Sequence, residues 1–395
     1  MELIEKVKYK RTSLGMIPND WDVKLFEDVM DGFSSGQTPY RAIADYYKGE
    51  IPWITSGELN YNIITDTIEK ITIEGVKAAN LKFIPKGTFL FAITGLEAAG
   101  TRGSCAITGI EATTNQSCMA LYPKENLLIT QYLYHYYLRY GDELAFKYCQ
   151  GTKQQSYTGG IAKKLPIIVP PTIEEQTAIA TALSDADELI QSLEKLIEKK
   201  RNIKQGAMQM LLSGKKRLAG FDGKWTCKMV GDLLKVRHGK SQKEIEDRAG
   251  RFPILGTGGL MGFTNSYLYD KESVLIGRKG TIDKPQFMNK PFWTVDTLFY
   301  TEILKSHSAK FIYYNFLLID WYSYNEASGV PSLNASTIEK IKLPIPPTKE
   351  EQTAISNLLS DIDNELTSLE GKLNKYKMLK QGMMHNLLIG KIRLV

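Results

Sequence analysis

PPTIEEQTAIATALSDADELIQSLEKLIEKKRNIKQGAMQMLLSGKKRL (170–218) returns as PPTKEEQTAISNLLSDIDNELTSLEGKLNKYKMLKQGMMHNLLIGKIRL (346–394), without a gap and with 27 of 49 positions identical. Agreement at that level within one chain is duplication, and a repeat must be recognised before any architecture is assigned. Each copy opens as a helix does. Two prolines are followed by Thr172 or Thr348 and, three residues on, by Glu175 or Glu351. That is capping-box spacing, in which hydroxyl and carboxylate satisfy the orphan amides of the first turn.

Beyond the cap, apolar residues recur at alternating steps of four and three: Ile179, Leu183, Ala186, Ile190, Leu193 and Ile197, then Ile355, Leu359, Ile362, Leu366, Leu369, Leu373 and Tyr376. A period of 3.5 predicts two coiled-coil helices, each of ~40 residues and about 60 Å long. Charge suggests how they pair. Residues 172–194 hold six carboxylates and no Lys or Arg, while 195–218 hold eight basic residues and one acid, Glu198. The second copy keeps this polarity, with six acids and only Lys349 over 348–370, then six basic residues and no acid over 371–395. Parallel pairing would stack like on like, so the charges and the macrodipoles predict an antiparallel pair. The same polarity also suits any single helix, and exposed pairs are individually weak, so the heptad seam drives association and charge selects the direction.

The repeats divide the 395 residues into a first domain (1–169), a helical spacer (170–218), a second domain (219–345) and a second spacer (346–395). Both domains are of ordinary size. They share a faint frame: Trp21 to Leu25 answers to Trp225 to Met229, and Asp28-Val29 to Asp232-Leu233. Duplication therefore took in a whole half-chain, and the globular parts diverged further than the helices. Short apolar runs at 89–93, 117–121, 274–276 and 293–295 predict strands, and the aromatic-rich stretches 130–140 and 309–319 predict helices, giving mixed α/β domains. Those aromatics suit a core better than a base-stacking platform. Polar, glycine-containing loops lie at 35–39, 100–104, 115–116 and 151–156, and again at 237–242, 256–259, 277–280 and 296–297. Glycine lets backbone approach a ligand closely, and Arg, Lys, Gln and Asn carry the donors and acceptors that read bases and phosphates.

Composition is that of a soluble globular chain: 43% hydrophobic, 24% charged and 10% aromatic. No apolar run is long enough to cross a bilayer and the first residues lack a signal-peptide core, so a cytoplasmic protein with no membrane partner is expected. Cys105, Cys118, Cys149 and Cys227 lack metal or disulfide spacing and are expected as buried free thiols. A net charge of +6 permits a polyanionic partner without proving one. There is no phosphate-binding G-x-x-x-x-G-K-[ST] loop, no H-E-x-x-H and no G-x-S-x-G elbow, and Asp185/Asp187 and Asp361/Asp363 sit two apart on helices, facing different ways. The chain reads as a binder with two heads, with no catalytic residue and no metal site of its own.

These features resemble the specificity subunit of type I restriction-modification enzymes over nearly the whole chain. The resemblance is carried by Gly36-Gln37-Thr38-Pro39 with Gly49-Glu50-Ile51-Pro52-Trp53-Ile54, by Gly256-Thr257-Gly258-Gly259 with Leu275-Ile276-Gly277-Arg278-Lys279-Gly280-Thr281, and by Pro-Pro-x-x-Glu-Glu-Gln at each helix head. It implies two α/β target-recognition domains in tandem, separated by two long antiparallel coiled-coil helices with a pseudo-two-fold internal duplication. It also implies a non-catalytic subunit in which each domain reads one half of a bipartite site on double-stranded DNA. The helices would set the spacing and dock two methyltransferase subunits, which methylate adenine at N6 and, through which, restriction subunits join. S-adenosylmethionine, ATP and magnesium are implied only in those partners. DNA-facing candidates by resemblance are Gln37, Thr38, Arg102, Lys153, Gln154, Gln155, Arg237, His238, Lys240, Arg278 and Lys279, with Arg102 matched to the 277–280 turn of the second domain. Two other readings compete: a DNA-free assembly scaffold whose heads bind proteins, and a self-sufficient enzyme, which methyl transfer by the chain alone would reveal.

Overall fold

The computed structural model describes residues 8–96, 101–151 and 155–394. The chain forms two compact units, one comprising the described residues up to Ser192 with those from Leu373 onward, the other Leu193–Lys372. Each repeated stretch is one unbroken helix of 39 residues, Ile173–Leu211 and Lys349–Leu387, and each helix contributes to both units.

The first unit is built on a five-stranded sheet in the order Met30–Ser35, Cys118–Pro123, Phe89–Ala92, Cys105–Thr108, Asn62–Ile64, antiparallel except for the last pair. The helix Thr130–Tyr148 covers it, with the Tyr137 ring against Phe89 and Phe91 at centroid distances of 5.6 and 5.2 Å. Tyr132 and Tyr136 are buried and donate to the carbonyls of Ile168 and Pro166 (3.0 and 3.1 Å), so the aromatic stretch is core, as its composition suggested. The second unit repeats the first four strands in the same order: Leu234–Arg237, Leu298–Ile303, Ser273–Gly277, Gln286–Met288. Its helix Ala309–Phe316 packs on them. A three-stranded sheet accompanies each, containing a parallel pair of the same kind: Ile51–Ile54 with Thr113–Thr114, and Phe252–Gly256 with Trp293–Thr294.

Just ahead of each long helix a strand (Pro166–Val169, Lys342–Ile345) pairs antiparallel with the strand that follows the frame tryptophan (Asp22–Leu25, Thr226–Met229). Asp28 and Asp232 complete the frame by accepting from the amides of Leu25 and Met229 at 2.9 and 3.1 Å.

The helix heads differ from the expected capping box. Thr172 and Thr348 do accept from the amides of Glu175 and Glu351 (3.2 and 3.3 Å), but neither carboxylate returns to the cap. Glu175 instead takes the Trp21 indole N–H (3.2 Å) and the Arg393 guanidinium, while Glu351 takes Trp225 (3.2 Å) and Arg217 through Nε and Nη2 (2.5 and 2.8 Å). Each latch thus draws its glutamate from one copy of the repeat and its arginine from the other. The next residue clamps the loop ahead of the domain helix: Gln176 accepts from the Ile129 amide and donates to the Leu127 carbonyl, and Gln352 accepts from the Ser308 amide and bonds His307. Two buried charged or amide side chains per helix head are satisfied by partners that only the folded domain supplies.

Within the first unit Asp187 pairs with Lys380 (2.5 Å) and Glu175 with Arg393. Within the second, Glu351, Asp363, Glu365 and Glu370 pair with Arg217, Lys204, Lys200 and Arg201. In each unit the higher-numbered acids pair with the lower-numbered bases, Lys380 against Arg393 in the first and Lys200 and Arg201 against Arg217 in the second, so the helical segments there run in opposite directions. Of the seam positions, Ile179, Leu183, Ile190, Ile197, Ile355, Leu359, Leu366 and Leu369 are buried, and Leu193, Ile362 and Leu373 are half-buried. The cysteines depart from expectation in part. Cys105 and Cys118 are buried, but Cys149 is half-buried and Cys227, whose strand lies on the surface, is exposed.

Candidate nucleic-acid interface

Loops at one end of each main sheet are joined by a similar set of hydrogen bonds in both units, two of the four between equivalent positions and two shifted by a residue. In the first, the turn after Met30–Ser35 donates from Gly36 to the Asn115 carbonyl (3.2 Å), and the turn after Phe89–Ala92 donates from Ile93 to Ser117 (2.9 Å). Tyr157 donates to the Ile93 carbonyl (2.8 Å) and Leu96 to that of Gln155 (3.1 Å). In the second, Lys240 donates to Thr294 (2.8 Å), Arg278 to Thr297 (2.8 Å), Leu333 to Arg278 (2.9 Å) and Gly280 to Pro331 (2.9 Å). Four segments that are far apart in sequence therefore form one surface in each unit.

The first unit's loop is stiff. The Trp53 indole donates to the Gln37 carbonyl (3.2 Å), the Tyr47 hydroxyl to the Pro39 carbonyl (2.5 Å), and Thr38 to the Gln116 side chain (2.6 Å). Arg41 lies over the Tyr47 and Trp53 rings (4.4 and 5.1 Å) and grips Glu69 through both Nη atoms (2.5 and 2.9 Å), which holds that carboxyl below its ordinary range. Gln37 itself is exposed.

The second unit's surface is more basic. Arg237 pairs with Glu302 (2.8 Å), the Arg278 guanidinium donates to the Asp296 carbonyl (3.2 Å), and Lys240 is exposed. A cleft of about 350 Å³ opens here between His238, Arg278, Lys279, Glu326 and Ser332, floored by Phe299, against which the His238 ring sits edge-on at 4.9 Å. The Gly256–Gly259 hairpin turn joins the same edge, with the Gln286 amide donating to the Gly256 carbonyl (3.4 Å).

Of the sequence candidates, Gln37, Thr38, Gln155, Arg237, His238, Lys240, Arg278 and Lys279 fall within these loop clusters, while Lys153 and Gln154 lie outside the described residues. Arg102 does not occupy the place matched to it. Its Nε donates to the Leu96 carbonyl (3.1 Å) and its guanidinium lies over the Phe146 ring (5.6 Å). The counterpart of Arg278-Lys279-Gly280 is Ile93-Thr94-Gly95. Thr94 and Lys279 bridge Ser156 and Ser332, and Gly95 and Gly280 share positive φ angles of 75° and 88°. Measured from the expected runs 89–93 and 274–276 the two glycines stand two and four residues on, and only the observed strand ends, Ala92 and Gly277, place both at three. Sequence reasoning also missed the loop at 326–333. It was findable because Ser332 stands as far ahead of Pro346 as Ser156 does of Pro170. Asn325 shapes this loop by accepting from the amides of Ala327 and Ser332 (3.1 and 2.9 Å).

Among the described residues no group of three or more His, Cys, Asp or Glu side chains could hold a metal, and no helix is long and apolar enough to cross a membrane. The model of the type I restriction modification DNA specificity domain matches residues 18–203 and again 222–376. The MjaIX type I restriction enzyme specificity subunit of Methanocaldococcus jannaschii is 26% identical over 98% of this chain and 97% of its own. The EcoprrI specificity subunit of Escherichia coli is 22% identical over 88% and 92%. The fold is shared with the type I restriction-modification S subunit from M. genitalium, at a TM-score of 0.67, 17% identity and 98% coverage of both chains. With the domain model matching twice and together covering most of its length, the chain belongs to the type I restriction-modification specificity subunits.

Proposed function

We propose that this chain is the non-catalytic reader of a type I complex, and that each unit's loop surface contacts one half of an interrupted, asymmetric site on double-stranded DNA. One observation carries the reading. The same four loops are joined by a similar set of hydrogen bonds in both units while the side chains they present differ, with Gln37 and Thr38 on one and Arg237, Lys240, Arg278 and Lys279 on the other. A repeated scaffold with unlike fingertips suits a target of two unlike halves, because side chains at base edges specify while backbone contacts position. The two 39-residue helices act as an antiparallel coiled-coil spacer of about 60 Å with pseudo-two-fold character. Their exposed flanks, including Ile203, Met210, Met378 and Leu379, supply apolar surface for two methyltransferase subunits. Those subunits would bring S-adenosylmethionine and methylate adenine at N6. Restriction subunits, with ATP and magnesium, would join through them.

The test is to purify the chain with its methyltransferase, methylate genomic DNA, and map the modified adenines. An interrupted motif with a modified adenine in each half is expected; random methylation, or one continuous motif, refutes the reading. The scaffold alternative would be supported if Arg237→Ala with Arg278→Ala left duplex affinity unchanged at fixed salt while the complex still formed.

A further inference from the structure

One position in each unit is built alike to an unusual degree. Gly36 and Gly239 press against the backbone at the ends of the short strands Thr113–Thr114 and Trp293–Thr294: a Cβ on Gly36 would lie 1.6 Å from the Thr114 carbonyl oxygen, and one on Gly239 2.0 Å from that of Val295. The following residue, Gln37 or Lys240, has its carbonyl held by an indole N–H from the adjoining three-stranded sheet, Trp53 at 3.2 Å and Trp293 at 2.9 Å. An amide beside it is fixed as well, Gly36 to Asn115 and Lys240 to Thr294. The two tryptophans come from different strands, so this pinning was reached by different residues for the same geometric end. In both units the backbone is anchored on two sides. The side chain of Gln37 or Lys240 is exposed and takes no hydrogen bond or ion pair among the described residues. A donor-bearing side chain left free on a fixed backbone suits a base reader, because no partner has to be given up and only the side-chain rotamers, not the backbone, remain to be ordered on contact.

We infer that Gln37 and Lys240 are equivalent base-reading positions, Gln37 taking an adenine in the half-site of the first unit and Lys240 a guanine in that of the second. The chemistry follows from the two side chains. A carboxamide both donates and accepts, matching adenine N7 and N6 in the major groove, whereas an ammonium only donates, matching guanine O6 and N7. The inference rests on the DNA-reading function proposed above.

The experiment uses the full chain in complex with its methyltransferase and maps the methylated motif for the wild type, Gln37→Lys, Lys240→Gln and Gln37→Ala. Gln37→Lys is expected to turn one adenine of the first half-site into guanine, with a change in preference of roughly 10- to 100-fold. Lys240→Gln should turn one guanine of the second half into adenine, and Gln37→Ala should leave a single degenerate position. In every case the other half of the motif stays as it was, which also reports that the complex is intact. An interrupted wild-type motif that none of the variants alters overturns the inference while leaving the DNA-reading function standing. So does Lys240→Gln weakening all sites evenly with a shallower salt dependence, the mark of a phosphate contact. If the wild-type complex shows no interrupted motif, the functional reading falls and the inference with it.

Discussion

Arg217→Ala tests whether the two copies of the repeat are latched by their buried glutamates. Glu351 is 0% exposed, and apart from the Trp225 indole its partners are the Nε and Nη2 of Arg217, whose Nη1 also donates to the Gly223 carbonyl at 2.6 Å. Truncating the arginine leaves a carboxylate in the core with one neutral donor. Breaking a buried pair costs about 3–5 kcal/mol, and the lower end applies because the Arg217 side chain is 26% exposed and water can enter part of its place. A loss of about 3 kcal/mol corresponds to roughly a hundredfold greater opening. Hydrogen exchange in the full chain should read it as faster exchange over the amides at 350–356 and the strand Thr226–Met229, with the amides of the first unit unchanged. Arg201→Ala is the internal control. Its bond to Glu370 spans side chains 63% and 45% exposed, and such a pair is worth less than about 1 kcal/mol. If Arg217→Ala changes exchange less than tenfold, or no more than Arg201→Ala does, the latch does not hold the unit together.

His135 offers a pH test. It is buried, with Nε2 3.0 Å from the Ser184 hydroxyl and Nδ1 unpartnered; burial, with the nearby Lys380, pushes its pKa down to about 4. A depressed histidine pKa means that the unfolded chain binds the extra proton first, so the first unit should lose stability, up to about 3 kcal/mol, as pH falls from about 6.5 towards 4. His135→Tyr, which copies Tyr314 at the equivalent place, should flatten that slope in urea unfolding; an unchanged slope sinks the assignment. Leu359→Ala, at a fully buried seam position, should cost about 2–5 kcal/mol, whereas exposed Ile203→Ala should cost under about 0.5 kcal/mol in the chain alone, both measured by denaturant unfolding. Gly36→Ala cannot be accommodated beside the Thr114 carbonyl without moving the turn. It should weaken recognition of the first half-site at least tenfold while the second half is read as before, as measured by duplex binding of the complex.

Local pattern carried a great deal. Duplication, the two helix starts at Thr172 and Thr348, the heptad seam and the acid-to-base polarity are all written in near neighbours, and near neighbours are what a helix uses. The apolar runs 89–93 and 274–276 and the aromatic stretch 130–140 were legible for the same reason, and the structure forms strands at Phe89–Ala92 and Ser273–Gly277 and a helix that runs on to Tyr148. What sequence alone misplaced depends on contacts between distant segments. The spacing of Thr172 and Glu175 describes a capping box, yet a Trp21 indole and an Arg393 guanidinium offer the carboxylate charge-assisted bonds in a dry site, and they win. Arg102 looked like the counterpart of Arg278 because both stand in glycine-flanked turns. Only the strand ladder shows Ile93 in that place, since equivalence is set by which backbone amides bond across the sheet. The pairing of Gln37 with Lys240 likewise rests on the fold, where two tryptophans from different strands reach their equivalent carbonyls. Periodicity determines a helix within a few residues, but a recognition surface is assembled from loops scores of residues apart, and hydrogen bonds closed only in the folded chain decide which side chains are left free to read.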